Sequence, residues 1–155
     1  MNVTEAISNF PEYAKDIKLN YSKILNEGIF EKDLVYSIIY VSALTTKSSK
    51  LLDAVKVEAE DHISKESLED IYGAFSIMSM NAIYYRFTHL ATEYDYFSMP
   101  ANLRMQHLAK IKMNRSEFEM LCLAVATIIG CGKCINAHEQ VLRKDNISNQ
   151  KIQTV

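Results

Sequence analysis

Apolar side chains recur three and four positions apart along most of the chain, the spacing that lines one face of an α-helix. Only four Gly and two Pro interrupt the pattern. An all-α fold follows, with helices expected over residues 11–26, 32–45, 50–59, 65–79, 81–93, 100–110, 117–130 and 131–144. After the last of these, Ser148 stands where a helix cap belongs, and NQKIQTV places Ile152 and Val155 three apart. A further packing helix is expected to start there and to be cut short.

The helical pattern also hints at duplication. Leu34, Ile38, Val41, Leu44 and Leu51 stand 84 positions before Phe118, Cys122, Val125, Ile128 and Ile135, all of them apolar or cysteine. Two related helix pairs packed on each other would give this match, and so would helical periodicity alone. In that register Val35, Lys47, Lys50 and Ala54 of the first copy stand at the places of Glu119, Cys131, Cys134 and His138 in the second. Any chemistry of these four belongs to the second copy.

Composition narrows the class. The 155 residues suit a single domain with its own core. Seventeen basic and nineteen acidic side chains are scattered rather than run together, so charge offers no case for nucleic acid or an anionic membrane as a partner. The first eighteen residues lack the basic start and apolar block of a secretory signal, and no apolar run approaches the roughly twenty residues that span a bilayer. Three cysteines cannot close a set of structural bridges. A soluble protein of a reducing, cytoplasmic compartment is expected, and there a close cysteine pair reads as catalytic, redox-sensing or metal-binding.

That pair lies in SEFEMLCLAVATIIGCGKCINAHEQVL. Cys131 follows Gly130 at a break between helices, where free backbone N–H groups favour thiolate over thiol. Cys134 comes three residues later and His138 four beyond that, so all three share a helix face. A dithiol able to close, with an imidazole one turn away that titrates near neutral pH, is an arrangement for thiol redox chemistry. Zinc is the competing reading, with CGKC as half of a zinc-binding turn and His138 as a third ligand, giving a non-catalytic metal or interaction module. No second half is visible, since His62, His89 and His107 are isolated. Cys122, among Leu121, Leu123 and Val125, reads as a core thiol. Glu119 has two readings: with Ser116 it spells a capping box, and from the preceding helix its carboxylate could relay protons with His138.

A glutamate, CxxC about a dozen residues on, and a histidine four past the second cysteine together resemble the AhpD-like alkyl hydroperoxidases, within the carboxymuconolactone decarboxylase-like superfamily. Here the positions are Glu119, Cys131, Cys134 and His138. FPEYAKDIKLN, IMSMNAIYYR and NAHEQVLR extend the likeness over most of the chain.

The resemblance implies an antioxidant enzyme that reduces organic hydroperoxides. Cys134 would meet the peroxide and become a sulfenic acid. Cys131 would donate a proton and then close the disulfide, while Glu119 and His138 relay protons. It further implies a homotrimer with no bound cofactor or metal, drawing electrons from the lipoyl group of a partner protein and passing them to a peroxiredoxin through a transient disulfide at Cys134. Some relatives carry a histidine between the cysteines, where this chain has Gly132 and Lys133, and the lysine charge would still favour a thiolate. Relatives that keep the fold without the dithiol act as decarboxylases, and the CGKC pair separates this chain from them.

Overall fold

A computed structural model describes all residues, Met1–Val155, and contains eight α-helices and no strand. They are α1 (Val3–Ser8), α2 (Lys15–Asn26), α3 (Lys32–Thr46), α4 (Ser49–Ala59), α5 (Lys65–Leu90), α6 (Arg115–Ile129), α7 (Gly132–Lys144) and α8 (Asn149–Thr154). No helix is long and apolar enough to cross a membrane.

The fold is organised around α6. Its residues Phe118 to Ala126 are all buried, so this helix has no solvent face over that stretch, and α3, α5 and α7 pack around it. Phe118, Leu121 and Val125 meet Val41, Ile71, Met78 and Leu142 in a core that shields them almost completely from water. Removing each large apolar side chain from water is worth roughly 1.5–3 kcal/mol, so this layer is the main support of the helices that carry the site.

Helix lengths and caps correspond between the two halves at an offset of 83 rather than 84. α3 and α6 each have fifteen residues; Lys32 pairs with Arg115, the left-handed Lys47 (φ 60°) with Gly130 (φ 77°), and the cap Ser48 with Cys131. A helical repeat of apolar residues tolerates a one-residue slip, because i+3 and i+4 neighbours share a face. The caps do not, and they set the register. The first-half counterparts of Glu119, Cys131, Cys134 and His138 then become Tyr36, Ser48, Leu51 and Val55.

Other boundaries differ from the sequence pattern for local reasons. The two helices expected over 65–79 and 81–93 are one 26-residue helix, α5, about 39 Å long. Nothing between Ser79 and Asn81 interrupts its hydrogen bonds, and Gly73 in its middle serves packing: a Cβ there would overlap the His107 imidazole. The helix expected over 100–110 shrinks to a 3₁₀ turn, Gln106–Ala109, after Pro100 and a left-handed Asn102 (φ 51°). Its His107 side chain and the backbone just beyond it are held by Asp70. That wholly buried carboxylate accepts from the backbone N–H of Lys112 (2.8 Å) and of Met113 (2.7 Å), and lies 2.8 Å from Nε2 of His107. The start of the segment expected over 11–26 is a 3₁₀ turn, Glu12–Ala14, and α1, capped by a reciprocal Asn2–Glu5 box, is too short for periodicity to register. Ser148 does cap α8, accepting from the N–H of Lys151.

Candidate active site

The turn between α6 and α7 is closed by backbone bonds that leave it little freedom. Gly130, in the left-handed conformation that glycine adopts without strain, donates its N–H to Thr127 (3.2 Å) and Ala126 (3.0 Å), and Cys131 donates to Ala126 (3.0 Å). This is the Schellman arrangement that ends a helix. The carbonyl of the same Cys131 already accepts from Ile135 (2.9 Å), the first bond of α7. Cys131 therefore ends one helix and caps the next, and Cys134 stands at the third position of α7.

Cys131 and Cys134 are joined by a disulfide with Cα atoms 5.3 Å apart, within the usual range for a bridge. Both residues are buried. Cys131, as the N-cap, lies beside the N–H groups of the first turn of α7, which have no partner within the helix.

Glu119 is buried, at 3% exposure, beneath this turn. Its Oε2 lies 2.6 Å from Nδ1 of His138, and its Oε1 lies 2.6 Å from an Arg115 guanidinium nitrogen one turn back on α6. Burial alone would raise the Glu119 pKa, but the hydrogen bond and charge of His138, joined by Arg115, outweigh it and hold the carboxyl below its ordinary range. The capping reading of Glu119 does not hold. Asn114 caps α6 by accepting from the N–H of Ser116 (2.9 Å), and the Ser116 hydroxyl donates to Asp145 (2.7 Å). Glu119 is thus freed to face inward.

His138 is held on both sides. Besides Glu119 at Nδ1, its Nε2 lies 3.2 Å from Sδ of Met78, a fully buried methionine of α5. The carboxylate fixes the tautomer with hydrogen on Nδ1, which leaves Nε2 as the basic nitrogen of the neutral ring. No three His, Cys, Asp or Glu side chains are grouped as a set that could hold a metal ion.

Lys133 packs against two aromatic rings. Its ammonium sits 3.6 Å from the ring centre of Phe97 and 4.4 Å from that of Tyr85, a cation–π pocket that ties the CGKC turn to α5 and to the 3₁₀ turn Tyr96–Ser98. Arg86, one residue after Tyr85, donates to the carbonyl of Ile129 (2.8 Å) and so secures the end of α6 next to the bridge. Cys122 is free and buried, and burial pushes its thiol pKa far up, as suits a core thiol.

Arg115, Met78, Arg86 and the Lys133 pocket were not among the residues singled out from sequence. Arg115 had a signal, since it stands four residues before Glu119 on one helix. Met78 and Arg86 lie 60 and 43 positions from their partners, and nothing in local spacing marks them.

Comparison with known proteins agrees with the geometry. Residues 94–155 match the carboxymuconolactone decarboxylase family. The chain is 38% identical to the alkyl hydroperoxide reductase AhpD of Azorhizobium caulinodans, over 99% of this chain and 85% of that protein. With the AhpD proteins of Brucella anthropi and Maricaulis maris it shares 37% and 39% identity, over 99% of this chain and 88% of each relative.

Proposed function

The chain belongs to the AhpD family of alkyl hydroperoxide reductases, oxidoreductases of the peroxidase type, and on that basis we propose that it reduces organic hydroperoxides through a Cys131–Cys134 dithiol cycle. The observation that carries this reading is the bridged pair at the start of α7, on the helix whose His138 pairs with the buried Glu119.

In the cycle, the Cys134 thiolate attacks the hydroperoxide. An S–O bond forms, the O–O bond breaks, and the alkoxide leaves as the alcohol after taking a proton. Cys131 donates that proton, while His138, backed by Glu119, holds the proton taken from the Cys134 thiol and gives it to the hydroxide that departs in the next step. The Cys131 sulfur then displaces the hydroxyl of the Cys134 sulfenic acid, forming the S–S bond and releasing water. One hydroperoxide and two thiols become one alcohol, one water and one disulfide.

Two electrons and two protons from the dihydrolipoyl group of a partner protein regenerate the dithiol by thiol–disulfide exchange. The reduced pair can equally serve a peroxiredoxin, through a mixed disulfide at Cys134. A homotrimer in the reducing cytoplasm completes the proposal.

Peroxide consumption with dihydrolipoamide or a dihydrolipoyl protein, with and without a peroxiredoxin, tests reaction, donor and partner together. Lipoyl-dependent loss of tert-butyl hydroperoxide, faster when peroxiredoxin is added, is the expected result. No consumption under either condition would remove the proposal.

A further inference from the structure

The α5 face that backs the dithiol presents Met78, Tyr85 and Arg86, spaced seven and eight residues apart and so on one side of the helix. Tyr85 meets Lys133 and Arg86 meets Ile129, both contacts to the turn itself. Met78 touches the reacting machinery through His138.

The chemistry of that contact is one-sided. A thioether has no hydrogen to give, and the Glu119 carboxyl, held below its ordinary range, has none either. Both ring nitrogens of His138 therefore face acceptors, at 2.6 Å and 3.2 Å. Neutral imidazole carries a single N–H, which goes to the charged acceptor, Glu119, the stronger of the two. Nε2 then turns a lone pair toward sulfur. Once the ring takes up a proton, Nε2–H points at Met78 and both contacts become hydrogen bonds. The other charged groups of the site are already engaged: Arg115 with Glu119 within α6, Arg86 of α5 with the Ile129 carbonyl of α6, Lys133 with the Tyr85 and Phe97 rings, and Glu139 with Arg143 within α7.

We propose that Met78 is a positioning residue of the dithiol cycle, its sulfur accepting the Nε2–H of protonated His138 and holding the ring in place while it carries the proton between the two sulfur steps. This rests on the dithiol reading above. No bond to Met78 is made or broken; the thioether rewards only the proton-carrying form of the ring.

Met78→Leu keeps the volume of the buried side chain while removing the acceptor, and Met78→Gln returns an acceptor in a chain of similar length. With the protein oxidised and mildly acidic, the Nε2–H resonance of His138, assigned by its absence in His138→Asn, should move and exchange faster with water in Met78→Leu. The Nδ1–H resonance on Glu119 should stay. The rate of peroxide reduction by the reduced protein should fall about threefold to tenfold, the size of one modest hydrogen bond, and Met78→Gln should recover part of both. An unmoved Nε2–H resonance, or an unchanged rate, in Met78→Leu overturns the role of Met78. Failure of the unsubstituted protein to make alcohol from hydroperoxide would instead sink the dithiol cycle.

Discussion

Replacing Cys134 with serine should abolish peroxide reduction, a loss on the order of a thousandfold or more, because the nucleophile of the whole cycle is gone. Neither a sulfenic acid nor a mixed disulfide should form. Cys131 would remain at the cap of α7 as a thiol with no electrophile delivered to it. Replacing Cys131 with serine has a different signature. Cys134 should still react once, but its sulfenic acid lacks a resolving sulfur, so a dimedone-type reagent should label Cys134 and a mixed disulfide with an added partner should accumulate. Cys122 cannot stand in for either, being buried with its pKa pushed up. Mass mapping of both variants after one addition of hydroperoxide decides the matter. Labelling of Cys131 in Cys134→Ser as strong as that of Cys134 in Cys131→Ser would reverse the order of attack and resolution.

Glu119→Gln should slow turnover about a hundredfold while leaving the fold intact, within the range expected for loss of one partner in acid–base catalysis. Glutamine still accepts from Nδ1–H of His138 but brings no charge to the imidazolium, and it leaves Arg115 without its ion-pair partner. The helix start is not at risk, since Asn114 supplies the cap.

The same substitution should alter acid stability in a defined direction. The folded-state pKa of Glu119 is lowered, so its contribution to stability is fully present above the ordinary value of about 4.5 and is lost as pH falls through the lower folded value. Glu119→Gln has no such proton to bind, so its melting temperature should depend less steeply on pH across that window. Normal turnover in Glu119→Gln would return Glu119 to a packing role.

Much of the site was legible because it is local. Cys131, Cys134 and His138 lie within eight residues of one another on one helix start, where spacing alone decides which side chains share a face. Glu119 sits one helix back, and its role turned on a competition that spacing leaves open: Ser116 and Glu119 spell a capping box, but Asn114 takes the cap and Asp145 takes the Ser116 hydroxyl. Tertiary contacts decided that outcome. Met78 and Arg86 reach the site only because α5 packs along α6, a relation that no periodicity of either helix reports.

The fold shows the same division. The strongly apolar helices α3 and α6, and the amphipathic α7, stand within about two residues of where the pattern puts them. The segment at 100–110 has helical spacing but forms only a 3₁₀ turn, with the buried Asp70 holding its His107 side chain and the backbone N–H groups of Lys112 and Met113 just beyond it. These contacts span 37 to 43 positions, which local spacing does not report.

The central claim is that one hydroperoxide converts the Cys131–Cys134 dithiol to the bridge and nothing else. Fully reduced protein, free of donor and oxygen, should therefore be mixed with tert-butyl hydroperoxide in slight excess, and its thiols, disulfides and alcohol product counted by mass spectrometry. One alcohol per chain, one Cys131–Cys134 bridge and an unmodified Cys122 are expected. Unreacted hydroperoxide with all three thiols intact, or a dominant bridge through Cys122, would contradict it.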